Sequence, residues 1–164
     1  MKKVLVLPLL LSSVLLIGCG KENITTHNET LVDLVSRCTT AQDLMREALD
    51  QENYTTAKTL HTTAVDTCKA SQTNTAKLAG YDNDTTLRDT TDNYLQTEIA
   101  YLEKLAELFT YQQIEEFTPT QETAYLTLEN ELSTLADTTK SAYAELIKTQ
   151  QTFAETHGYQ LTTN

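Results

Sequence analysis

The side chains of this sequence that could do chemistry are few and scattered. Cys19, Cys38 and Cys68 supply three thiols, His27, His61 and His157 three imidazoles, and Glu103, Glu107, Glu115, Glu116 and Glu122 a neighbourhood of carboxylates. Thiols can be acylated, oxidised to a disulfide or, with further donors, bind a soft metal. A redox pair is expected as Cys-x-x-Cys and haem attachment as Cys-x-x-Cys-His, and neither occurs. His-Glu-x-x-His, Gly-x-Ser-x-Gly, a Gly-rich phosphate loop, EF-hand spacing and the Glu-x-x-His repeat of di-iron bundles are absent as well. His61 falls on an apolar stripe, where a hydrogen-bonded core position is expected. His157 falls in a last helical turn, where partial positive charge complements the helix dipole. The carboxylates read as a solvated face that would hold a divalent cation only weakly. No catalytic residue, cofactor or metal site is expected, and the chain reads as non-enzymatic.

The elements that must position these groups are helices. The 164 residues carry a net charge of −11, with only 4 Gly and 2 Pro. So few turn residues argue against an all-β fold, and the acidity argues against nucleic acid as a partner. Thr26-x-x-Glu29 has the spacing of a capping box. A stripe at steps of three and four follows through Leu31, Leu34, Val35, Cys38, Ala41, Met45, Ala48 and Leu49. After the polar break Asp50–Asn53, a second stripe runs from Tyr54 through Ala57, Leu60, His61, Ala64, Val65 and Cys68, and Gly80 is its expected C-terminal cap. Tyr81-Asp82-Asn83-Asp84 reads as a turn and N-cap, followed by a third stripe from Leu87 to Phe109. Thr118, Pro119 and Gln121 form the next helix start, and a fourth stripe from Tyr125 to Phe153 ends at Gly158. These segments predict an all-α, four-helix up-and-down bundle. Thr occurs 31 times, and its β-branched side chain disfavours helix, so mutual packing must supply most of the helical stability.

Lys2 and Lys3 precede the apolar run Val4–Ile17, which ends in Leu16-Ile17-Gly18-Cys19. Charged region, apolar region and final four residues together resemble the signal and lipobox of bacterial lipoproteins. The resemblance implies cleavage before Cys19, acylation of Cys19 and anchoring in a lipid bilayer through its acyl chains. With two or more chains such an anchor is stable. Gly20, where retained lipoproteins of enteric type carry Asp, implies the outer membrane of a Gram-negative cell, with the domain periplasmic or surface-facing. The expected organisation is a signal peptide over 1–18, a lipidated polar tether over 19–28, the bundle over 29–158 and a tail over 159–164. Without residues 1–18 the side-chain charge becomes −13.

With Cys19 acylated, Cys38 and Cys68 remain, an even number in an exported chain. Both lie on apolar stripes, and both are fifteen residues from Asn53. A hairpin folded at Asn53 sets them at equal height, about 22 Å from the turn. A disulfide joining the first two helices is therefore expected, the other reading being two buried thiols.

Asn53-Tyr54-Thr55-Thr56-Ala57 followed by Ala64 is similar to the turn and second helix of one tetratricopeptide repeat. No copy follows 34 residues later, where Ala57 maps to Thr91 and Ala64 to Glu98, so a single helical hairpin is implied and not an array. The architecture also resembles that of small pilotins, lipid-anchored helical bundles that carry a secretin subunit. The leading functional expectation is a non-enzymatic envelope lipoprotein that binds or helps assemble an unidentified envelope protein. The alternative is a protective or immunity lipoprotein that neutralises a toxin, phage or host factor, whose basic partner the negative charge would suit.

Overall fold

The structure is a computed structural model that describes residues 22–161 apart from residue 113. The expected signal peptide, the lipobox and Cys19 lie outside the described residues. Four helices account for most of the described chain: α1 Glu22–Asp50, α2 Tyr54–Lys77, α3 Thr86–Leu108 and α4 Pro119–His157. Their packing makes the expected up-and-down bundle. α1 pairs with α2, α2 with α3, and α3 with α4, while α1 and α3 form the closer diagonal. The remaining seam, between α1 and α4, is loose at the level of the backbone and is bridged by side chains: Gln150 Nε2 donates to Asn28 Oδ1 at 2.9 Å.

The apolar stripes face inward as their spacing predicts. Ile24, Leu31, Cys38, Met45, Ala64, Cys68, Leu87, Leu95, Leu102, Leu128 and Phe153 belong to one continuous core. Fully burying a leucine such as Leu102 stabilises the fold by about 2–3 kcal/mol. Many of the helical threonines bond their hydroxyls to the preceding turn, Thr67 Oγ1 donating to the Thr63 carbonyl at 2.7 Å and Thr138 Oγ1 to that of Thr134 at 2.9 Å. Such back-bonding places a poor helix former in a helix without leaving its hydroxyl dry.

Helix ends agree with expectation at α4 and at the break between α1 and α2, where α1 stops at Asp50 and Asn53 caps α2, and depart from it at the start of α1 and the end of α2. Thr118 and Gln121 form the reciprocal capping box with Pro119 in the first turn, and Gly158 closes the helix at φ 66°. α1, by contrast, begins at Glu22 and not after a polar tether ending at 28. The reason is tertiary: Ile24, Thr25 and Asn28 are buried, so this polar-looking stretch continues the inward face of α1. The segment after His157 is not a free tail over its first residues either. Tyr159 is buried, its ring centroid 6.2 Å from that of Phe153, and Leu161 packs on the core. α2 ends at Lys77 with Leu78 as its cap, and Gly80 serves a different need. A Cβ there would stand 2.6 Å from the Asp84 carbonyl oxygen, so the tight turn into α3 requires its absence. The positive φ values of that turn fall on Asp82 and Asn83, side chains that tolerate the left-handed region.

Cys38 and Cys68 are joined in a disulfide with a Cα–Cα separation of 4.5 Å, and both are fully buried. The bond links α1 to α2 across a sequence separation of 30. Closing a loop of that size restricts the unfolded chain by about 3.5 kcal/mol on the chain-entropy model. The variant Cys38→Ala/Cys68→Ala is expected to lose about 3 kcal/mol in urea denaturation with its helical circular dichroism retained. A midpoint unchanged from the parent would show that the link contributes nothing.

Candidate functional site

Three assemblies of polar and aromatic side chains are built on this frame. The first is internal. Glu98 projects from α3 into the core, where its Oε1 accepts from the Tyr94 hydroxyl and its Oε2 from Gln42 Nε2, both at 2.6 Å. Gln42 also lies 3.9 Å from the Cys38 sulfur, which ties the cluster to the disulfide. Burial and the adjoining Glu98 carboxylate push the Tyr94 hydroxyl far above the ordinary tyrosine range, so it stays a donor. The cluster is closed by its own hydrogen bonds and reads as a specifier of helix register, with both carboxylate oxygens occupied. Sequence reasoning missed it. The available signal was that Glu98 stands on the inward face of α3 between Leu95 and Leu102.

The second assembly closes the end of the bundle where α1 begins, α4 finishes and α2 turns into α3. His27, expected in a tether, is half-buried on α1 with ring centroids 6.2 Å from Tyr81 and 6.1 Å from Phe153. Burial first, and the nearby Arg88 guanidinium second, hold its imidazole below the ordinary value, against a smaller opposing effect of Asp84. His157 stacks near Phe153 at 4.5 Å and lies 3.4 Å from the Asp84 carboxylate. The Asp84 carboxyl is lowered chiefly by hydrogen bonds from Thr86 and further by His157. His61 is remote from both and occupies the expected core position, its Nε2–H donating to the Leu102 carbonyl at 2.6 Å. The three histidines are not brought together around one point. Among the described residues no group of three or more His, Cys, Asp or Glu is placed to hold a metal.

The third assembly lies at the opposite end, where α1 turns into α2 and α3 into α4. Tyr111, Phe117 and Tyr125 form a ring cluster with centroids 5.4 to 6.0 Å apart. Among the described residues, the large apolar side chains that stand well exposed all fall in this half: Leu44 at 50%, Tyr54 at 44%, Phe117 at 41% and Leu126 at 52%. Beside Tyr54 an open groove of about 830 Å³ runs between α2 and Phe109, floored by Thr55, Thr59 and Thr62. Glu103, Glu107, Glu115, Glu116 and Glu122 are exposed here as expected, with Lys104 bridging Glu107 at 2.9 Å and Glu131 at 2.7 Å. The crevice along the α1–α4 seam, between Val32, Val35, Tyr143 and Ile147, is much smaller at about 20 Å³ and takes no more than a water molecule.

No protein-family model matches this chain, and neither a curated protein nor a solved structure matches it.

Two outcomes follow. Glu98→Leu leaves the Tyr94 hydroxyl and the Gln42 amide without their acceptor and is expected to cost ~2–4 kcal/mol in urea denaturation, with Glu98→Gln recovering part of it. Equal stability of parent and Glu98→Leu would remove the cluster from the forces holding the core. For His27 the sign is set by its lowered folded-state value. As pH falls through 6.5 the unfolded chain takes up a proton that the folded chain resists, so stability decreases. His27→Gln is expected to show a shallower decline between about pH 7 and pH 5, and parallel curves would exclude His27 as the titrating group.

Proposed function

We propose that this chain is a membrane-anchored bacterial envelope lipoprotein whose helical domain acts as a non-enzymatic protein-binding or assembly module, pilotin-like or scaffolding in role. The anchor is the acylated Cys19, and the compartment is the outer membrane of a Gram-negative cell. The observation that carries the binding role is the gathering of Leu44, Tyr54, Phe117 and Leu126 at one end of the bundle. Single exposed apolar residues are ordinary on a monomer, and four of them at one end of the described bundle support the reading of a surface that a partner covers. That end is the one remote from the start of α1, which follows the anchor in sequence. α1 alone spans about 43 Å, so such a bundle would present the apolar end well clear of the bilayer. No helix among the described residues is long and apolar enough to cross a membrane, which leaves anchoring to the N-terminal lipid in this reading.

The protective alternative is favoured by charge alone. A toxin or phage protein with a basic face would be steered toward so acidic a domain. Occurrence of the gene beside a toxin or prophage would favour it over assembly.

Anchoring is tested by metabolic palmitate labelling and membrane fractionation. The parent is expected to incorporate label and float with outer membranes, and Cys19→Ser to lose the label and leave them. An unlabelled parent would overturn the lipoprotein reading.

A further inference from the structure

We infer that the end of the bundle formed by the α1–α2 and α3–α4 turns is a docking surface for a cationic, amphipathic segment of a partner protein. The inference rests on the protein-binding reading above and names the chemistry of the partner. Four observations converge on it. First, the well-exposed Leu44, Tyr54, Phe117 and Leu126 all lie within residues 43–66 and 103–131. Second, these two stretches hold twelve carboxylates against three cations, a net charge of −9, whereas the longer remainder of residues 22–161 carries −5. Two of those cations are paired within the stretches, Arg46 with Asp43 at 3.5 Å and Lys104 with Glu107 and Glu131. The third is Lys58 in the groove, and Glu103 is paired at 2.7 Å with Lys69 from just outside them.

Third, the first turns of α4 are not covered by α3. Contacts between Asp84 and His157, Tyr94 and Tyr143, and Lys104 and Glu131 set the α3–α4 register. Since α3 stops at Leu108, the residues of α4 before Leu128 extend past it, and Leu128 is the first buried residue of that helix. At this overhang the ring of Phe117 is exposed beside Tyr125, and Leu126, on the side of α4 opposite Leu128, is exposed as well, with Glu115, Glu116 and Glu122 exposed near them in sequence. Fourth, an open groove at the same end has two aromatic walls, Tyr54 and Phe109, and a lining otherwise of threonines with Lys58, Asp66 and Gln112, so a partner's polar side chains find hydrogen-bonding groups there beside aromatic ones.

Charge decides the occupant. A second copy of this chain would set −9 against −9. An anionic bilayer would repel the same surface. A segment with Lys or Arg on one face and apolar anchors on the other gains from both features: carboxylates steer it and fix its orientation, and the anchors supply the affinity. A guanidinium can also stack on the exposed face of Phe117.

The test uses the full chain in detergent micelles and fluorescence anisotropy. The probe is a labelled amphipathic peptide of about 18 residues with Leu on one face and Lys and Arg on the other. Its controls are the same peptide with Glu at every cationic position, and poly-lysine. The cationic peptide is expected to bind and the Glu peptide not to bind. Phe117→Ser/Leu126→Ser should weaken binding about tenfold or more. Glu115→Gln/Glu116→Gln/Glu122→Gln should weaken it severalfold at low salt and little at high salt. Glu29→Gln/Glu145→Gln/Glu155→Gln, a charge change of equal size toward the other end, should leave it within about twofold. All three variants alter exposed side chains, and equal helical circular dichroism and Tm would certify their folding. The inference is overturned if the peptide fails to bind at ~1 mM, if poly-lysine binds as tightly, or if both charge variants weaken binding equally.

A photocrosslinker at Leu126 and another at Val32 then separate the two levels in the native envelope. Capture at Leu126 through a net-positive partner segment supports the inference. Capture at Val32 alone, or at Leu126 through an acidic segment, overturns it and leaves a protein-binding lipoprotein standing. Capture at neither position removes both.

Discussion

The covalent link between Cys38 and Cys68 holds α1 and α2 at one relative height, and the interior is built outward from that height. Helices in which roughly one residue in five is threonine have weak preference for their own conformation, so their contacts must be correct before they are stable. With the first hairpin clamped, Gln42 stands one turn beyond Cys38 and presents its amide to Glu98. Glu98 in turn receives the Tyr94 hydroxyl of its own helix. A slip of α3 by one turn along α1 would bury a carboxylate without donors, at a cost far above that of moving one apolar residue past another. The disulfide therefore sets the register of the first pair of helices, and the carboxylate transmits it to the third.

The fourth helix is held by a different logic. It packs on α3 over most of its length and approaches α1 through side chains, with the Asn28–Gln150 hydrogen bond spanning the seam. Its last turn is fixed where Phe153, His157 and Tyr159 meet His27 and Tyr81. Its first turns meet, among the described aromatic side chains, the loop residues Tyr111 and Phe117 through Tyr125. One end of the bundle is consequently sealed by tertiary contacts, and the other is covered mainly by its own connecting loop.

This asymmetry explains what could and could not be read from the residues. Steps of three and four showed the four inward faces, because burial of a helix face leaves that period in any sequence. The caps of α4 were legible since Thr118, Pro119, Gln121 and Gly158 act within a few residues of themselves. The start of α1 was not, because Thr25 and Asn28 are polar and become interior only when α3, α4 and the chain beyond Gly158 close over them. Gly80 looked like a helix cap, yet its role depends on the approach of the Asp84 carbonyl from the far side of the turn. Glu98 carried no mark of burial for the same reason, its partners being set by tertiary contact. The exposed apolar side chains were legible singly but not as a group. Leu126 stands two residues from Leu128, on the opposite side of α4, so the helical period already places it outside the core, whereas its sharing one end of the bundle with Leu44, Tyr54 and Phe117 follows only from the topology.

The two ends also differ in how they would behave beside a bilayer in the proposed orientation. Electrostatic repulsion at physiological salt acts over about 8 Å, far less than the 43 Å or so spanned by α1. An upright bundle keeps its −9 end outside that range and feels little. A bundle lying flat would bring part of this acidic end within that range of an anionic surface, so the charge distribution would disfavour the flat pose. The exposed Leu44, Tyr54, Phe117 and Leu126 would otherwise be the side chains most drawn to the membrane interface. In the proposed setting, the acid around them would oppose that attraction while leaving them open to a cationic partner, so one distribution of charge would serve both as stand-off from lipid and as selector among proteins.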